Sequence, residues 1–176
     1  RELVWSLNSV GSVLQQQGYL ELAETAFASA LEFSQWQADQ MPDDADLMRD
    51  RQMSRNKVGE VRFARNDFPG ALAAHGEALQ INDALLALDP ANVTYRRDVS
   101  YTQERLGDVY LAMGNRPAAE AAYTVSLSIT EALVAEFPGD ESMIRDLSVS
   151  YERNGDTLVA NGDYAAALQT YGKALA

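Results

Sequence analysis

The chain has 176 residues, 47% of them apolar, and a formal charge of −12 with no cysteine. The charge argues against nucleic acid and anionic membranes as partners, and the lack of thiols excludes disulfides and thiolate chemistry and suits a reducing cytosol. No apolar run approaches the length of a bilayer span and no signal-peptide pattern opens the chain, so a cytoplasmic protein is expected.

The chain repeats itself every 48 residues without a gap. Gly11, Gly59, Gly107 and Gly155 fall in register, as do Arg1, Arg49, Arg97 and Arg145, each followed by an acid at Glu2, Asp50, Asp98 and Asp146. Ala23, Ala71, Ala119 and Ala167 form another column, then Leu31, Leu79, Leu127 and Leu175. Such self-similarity marks a repeat array, whose units bury their apolar faces by stacking on neighbours. The repeats are 1–48, 49–96, 97–144 and 145–176, one array over 1–176.

In chain order, the first helix of repeat one carries Trp5, Asn8 and Ser12 and stops at Gly18, suited to a left-handed residue just past a helix end. Its second helix carries Ala23, Phe27 and Leu31 and ends before Pro42. Asp44 caps a helix near 45–65, which Asn66 ends, and Asp67 caps the next near 68–88, before Pro90. Asn92 caps a helix near 93–113, with apolar residues at Tyr95, Val99, Leu106, Val109 and Tyr110 in helical spacing. Gly114 stops it. Asn115 then caps a helix near 116–136, with Pro117 in its first turn and Pro138 beyond its end. Asp140 opens the last first helix, near 141–161, and Gly162 and Asp163 turn the chain into the final helix. Each complete repeat is a pair of antiparallel helices of about 20 residues, each about 30 Å long.

Glycine inside a helix costs roughly 1 kcal/mol against alanine. One stands mid-helix in all four first helices, which points to close backbone approach. Phe27, Tyr123 and Tyr171, with His75 in the same column, fill the space beyond.

These residues resemble the tetratricopeptide repeat family. The best match is Asn161-Gly162-Asp163-Tyr164 followed by Ala167, Tyr171, Ala174 and Leu175, with Gly155 and Leu158 upstream. The resemblance covers all four repeats; the departure is length, 48 residues against the family's usual 34. It implies an all-α right-handed superhelical solenoid of antiparallel helix pairs. It also implies a non-catalytic scaffold that binds a protein or peptide on the concave face of the first helices. Transferred by register, that face presents Trp5, Asn8, Ser12 and Gln15, then Met53, Asn56, Glu60 and Phe63. Tyr101, Glu104, Asp108 and Leu111 follow, then Val149, Glu152, Asp156 and Val159. The family's best-known site holds a C-terminal carboxylate between lysine, asparagine and arginine. Asn8, Lys57 and Arg105 match it, but Ser12 and Tyr101 stand where asparagine and lysine are needed.

Chemistry has little to work with. His75 is the lone histidine and falls in a core column, and the paired acids Asp43-Asp44 and Asp140-Glu141 stand at helix starts, where carboxylates complement the dipole. No catalytic residue, cofactor or metal is expected. Acidity on the transferred face grows toward Glu104, Asp108, Glu152 and Asp156, which suits a ligand with basic residues. Equally, Lys57 with Glu60, Arg105 with Asp108 and Arg153 with Asp156 are i,i+3 pairs that support a helix without any ligand.

The first repeat holds one basic against eight acidic residues and the second seven against six. Arg55 and Arg62 occupy columns filled elsewhere by leucine or tyrosine among others, so at least one should reach a carboxylate of the first two repeats. Asn154, in the column of Val10, Val58 and Leu106, is expected near an exposed end. The chain opens inside a helix and lacks a polar capping helix, which reads as a segment of a longer protein. The second functional reading is a structural or self-assembling arm. It would associate end to end through a C-terminal face of Leu158, Tyr164, Leu168 and Tyr171.

Overall fold

The computed structural model describes residues 1–174; Leu175, part of the leucine column and of the family match, lies outside the described residues. Among the described residues there are eight α-helices and no strand. They are α1 (Glu2–Gln16), α2 (Leu20–Gln40), α3 (Ala45–Ala64), α4 (Phe68–Leu88), α5 (Val93–Ala112), α6 (Arg116–Glu136), α7 (Glu141–Ala160) and α8 (Tyr164–Ala174). The fold class is all-α, and the five helices with expected bounds fall within one residue of them. The chain forms two compact units, one from Arg1 to Pro90 and the other from Ala91 onward. In each, two helical hairpins pack side by side, α1–α2 with α3–α4 and α5–α6 with α7–α8.

The punctuation works as the residue types dictate. Asp44, Asp67, Asn92, Asn115, Asp140 and Asp163 each accept a backbone N–H of the following turn, at 2.9 to 3.3 Å. At the tight turns within the hairpins, Gly18, Asn66, Gly114 and Gly162 take φ of 82°, 62°, 76° and 81°. In each turn the following N–H reaches back to close the end of the first helix, as Tyr19 N does to Leu14 O at 2.9 Å.

One contact recurs in every hairpin. A Cβ built on Gly11 or Gly59 would come within 2.5 Å of Phe27 Cε1 or His75 Nε2, and on Gly107 or Gly155 at least as near Cε1 of Tyr123 or Tyr171. The ring sixteen residues downstream therefore lies directly on the glycine backbone. Phe27, His75 and Tyr123 are almost wholly buried. In the first unit the core grows from this contact, joining Ala23, Phe27, Val58, Val61 and Ala74, with Leu14, Leu20 and Leu31 against its edge.

Polar groups then tie hairpin to hairpin. Arg1 Nε donates to Asp50 at 2.7 Å, and its Nη1 to Asp46 at 2.8 Å. Arg97 repeats the pairing with Asp146, at 2.9 and 2.6 Å. Each arginine meets an acid 49 residues on, so the two charged columns are stitches between neighbouring first helices. Arg55 pairs with Glu77, and Arg62 and Arg65 share Glu24. Both anomalous arginines thus reach a carboxylate. Asn154 is half-buried and donates to the Tyr123 and Ser150 carbonyls at 3.1 and 2.9 Å, so it ties α7 to α6.

The glycine contact separates two kinds of substitution. Gly107→Ala drives a methyl into the Tyr123 ring and should destabilise by about 1–3 kcal/mol. Gly76, inside α4, has nothing within 4 Å of its Cβ position, so Gly76→Ala should stabilise by about 0.5–1 kcal/mol through helix propensity alone. Denaturant titrations check the pair; the same sign for both would contradict the packing role of the glycine column.

Candidate interaction grooves

Side chains three and four apart on α1 and α3 point to one side and enclose a groove in the first unit. Trp5, Asn8 and Ser12 come from one helix, Met53 and Lys57 from the other, and Val4, Ser9 and Asp50 complete the lining. Its volume is about 360 Å³, within the roughly 300–1,000 Å³ of ligand sites. Trp5 is 64% exposed, a large aromatic left in water beside Met53. Asp50, in the lining, accepts from Arg1, which also reaches Asp46. Asn8 Nδ2 donates to Ser54 Oγ at 3.2 Å, while its Oδ1 is buried without a partner. Lys57 Nζ sits 3.0 Å from Glu60.

Four of the eight residues expected on this face of the first unit, Trp5, Asn8, Ser12 and Met53, therefore meet in one groove. The other four do not line it, and Gln15 and Phe63 among them are half-buried. Asn56 is buried, where its Oδ1 lies 2.8 Å from Nδ1 of the buried His75. Glu60 is half-buried in its pair with Lys57. Val4, Ser9 and Asp50 line the groove outside the expected set; for Asp50 the sequence holds a signal, the columns of arginine and following acid that pair 49 residues apart.

In the second unit the corresponding face is more self-contained. Glu104 is buried and accepts from Ser126 Oγ at 3.0 Å and Ser150 Oγ at 2.7 Å. Ser100 and Ser126 extend the network, 2.8 Å apart. The bond from Glu104 to Ser150 has the same register as that from Asn8 to Ser54, so this position is a seam between first helices in both units. Asp108 accepts from the Tyr123 hydroxyl at 2.7 Å and pairs with Arg105 at 3.2 Å and Arg153 at 3.4 Å. Arg153 was expected beside Asp156; it reaches across to Asp108. Asp156 instead accepts the Tyr171 hydroxyl at 2.6 Å, which with some desolvation pushes that phenol up to about 12.

Arg105 also covers Tyr101, 5.2 Å from the ring centroid. Tyr101 and Leu111 are 39% and 38% exposed, Val149 is half-buried, and Glu152 is exposed. The acidic face expected here therefore divides. Glu104 and Asp108 are turned inward because hydroxyl and guanidinium donors surround them, while Glu152 and Asp156 remain at the surface. Among the described residues no group of three histidines, cysteines or acids is placed to hold a metal, and no helix is long and apolar enough to cross a membrane.

No family model matches the chain, and no curated protein does. Among solved structures it is similar to BtubC (BKLC) from P. vanneervenii, with a TM-score of 0.74 and 18% identity, over 98% of this chain and 61% of that one. It is also similar to MamA (TM-score 0.46, 19% identity, 94% of this chain and 92% of that one). A third likeness is to a kinesin light chain protein of Podosopora anserina with TPR-like repeats (TM-score 0.45, 11% identity, 97% and 92%). The first likeness is one of fold, and the chain spans about three-fifths of that protein's length.

Burial of the Glu104 carboxylate raises its affinity for protons, and the Ser150 and Ser126 hydroxyls, then Arg105 and Arg153, oppose the shift without cancelling it. A carboxyl whose folded pKa exceeds its unfolded value of about 4.3 makes the fold less stable as pH rises from that value through the folded one. Glu104→Gln can still accept both hydroxyls. It should remove this dependence and raise the melting temperature at pH 7, as thermal unfolding across pH 4–8 would show; a variant less stable than wild type at pH 7 would refute it.

Proposed function

We propose that these tetratricopeptide-like hairpins form a non-catalytic scaffold that binds a protein or peptide on the concave face of the first helices. The observation that carries this is the α1–α3 groove, where an exposed tryptophan, a methionine and an unpartnered amide oxygen converge. Aromatic anchors supply most of the energy at such surfaces. An apolar side chain would pack between Trp5 and Met53. Tyr101, Leu111 and Val149 offer the matching apolar positions of the second unit. Glu152 and Asp156 are the acids left for a basic residue of the ligand, which Glu104 and Asp108, already partnered within the fold, do not serve. A cytoplasmic setting fits a chain without cysteine.

The second reading, a structural or self-assembling arm, has its own support. Val10 and Val13 of α1 are 54% and 52% exposed, while Val58 and Val61 in the same columns are at most 4% exposed. Tyr164 and Leu168 of α8 are 70% and 75% exposed. Both faces carry the kind of surface that buries between hairpins. Light scattering over a concentration series distinguishes the readings, since only the second expects the mass to grow.

Peptides selected from a displayed random library against the whole chain should bind wild type and lose about tenfold or more in affinity to Trp5→Ala, and again to Met53→Ala. Affinity unchanged in both variants would move the binding site elsewhere.

A further inference from the structure

A second crevice lies within the second unit, between α6, α7 and α8, and shares no residue with the Trp5 groove. Its volume is about 240 Å³, below the roughly 300 Å³ at which cofactor-sized sites begin, so it suits a single side chain.

The first unit shows what belongs there, because the columns of the repeat allow the two places to be compared residue by residue. In the first unit Arg62 reaches from α3 into this position. Its Nε donates to Glu24 Oε1 at 3.3 Å and its Nη1 to the Gly70 carbonyl at 3.5 Å, and Arg65 also pairs with Glu24. Of the other columns around it, those of Ala28, Val58, Val61 and Ala74 are apolar there, while Arg55 and Glu77, themselves an ion pair, stand in the columns of Tyr151 and Lys173. In the second unit the acid is kept, as Glu120, but both arginines are gone. Leu158 stands in the column of Arg62 and Asn161 in that of Arg65. The four apolar columns turn polar together, to Thr124, Asn154, Thr157 and Thr170. Glu120 Oε2 accepts from Asn161 Nδ2 at 3.0 Å, and among the described residues no other partner holds the carboxylate.

We propose that this crevice binds a basic side chain of a partner protein, arginine foremost, which takes the place that Arg62 fills from within in the first unit. The guanidinium meets Glu120, and its remaining N–H groups face the threonine oxygens. Thr157 and Thr170 already donate to the Arg153 and Ala166 carbonyls, at 2.9 and 3.0 Å, so their lone pairs are what they offer. Tyr151 and Leu158 supply an apolar bed for the methylene stem. Lys173 also lines the crevice, its Nζ 5.4 Å from the Tyr151 ring centroid, and adds a positive charge there. The crevice therefore selects one arginine among neutral or acidic neighbours rather than a polybasic run. This site stands apart from the first-helix groove, and each can fail alone.

The test is a titration of the whole chain with N-acetyl-arginine methylamide, followed through backbone amide signals by nuclear magnetic resonance. The signals of Thr157, Leu158 and Thr170 should move with a dissociation constant on the order of millimolar. The citrulline analogue, which keeps the shape and loses the charge, should bind about tenfold more weakly or not at all. Leu158→Arg installs the residue that the repeat itself uses at position 62, so the variant should stay folded by circular dichroism and lose the response. Glu120→Gln should weaken it about tenfold. The proposal is overturned if citrulline moves the same signals equally, if folded Leu158→Arg still responds, or if none of these signals moves.

Discussion

The architecture depends on one contact, the aromatic or imidazole ring laid on a glycine backbone in the same hairpin. Helices normally stand 8–10 Å apart, held off by their side chains. Removing the side chain at Gly11, Gly59, Gly107 and Gly155 lets a whole ring fill that space, so the hairpins close around a common element of packing. The helical penalty of glycine is offset by burying the ring. Because the contact joins residues sixteen apart, it forms within each repeat.

Between first helices the joining is polar. The Arg1–Asp50 and Arg97–Asp146 pairs and the Asn8–Ser54 and Glu104–Ser150 bonds run down the side that faces a ligand in the proposed binding mode. This explains why so many charged residues of that face are occupied. They join first helices within each unit, and Trp5, Met53, Leu111 and Glu152 are what that face still presents toward a proposed partner.

Repetition makes divergence between units easy to interpret. The same columns bind Glu24 into ion pairs with Arg62 and Arg65 in one unit and line a polar crevice beside Glu120 in the other. His75 in place of a tyrosine or phenylalanine is a second case. The imidazole keeps the ring on its glycine but exchanges a phenol hydroxyl at the face for a buried bond to Asn56. Each change leaves the packing rule intact and alters only what the surface offers.

The sequence by itself determined the helices, their turns and the glycine contact. These rest on local rules, an oxygen that caps, a glycine that accepts positive φ and a period of 48 residues, and such rules act along the chain. It also grouped Trp5, Asn8, Ser12 and Met53, through the register that the tetratricopeptide resemblance transfers to this chain. Tertiary structure decided which polar residues of that side are spent on the fold. Glu104 and Glu152 share a column, yet one is buried among hydroxyls and the other exposed, because burial depends on which helix packs alongside. Arg153 illustrates the same limit: Asp156 stands three residues on along its helix, and its partner is Asp108 of α5. A side chain as long as arginine chooses among all the carboxylates within reach, and only the folded arrangement says which those are.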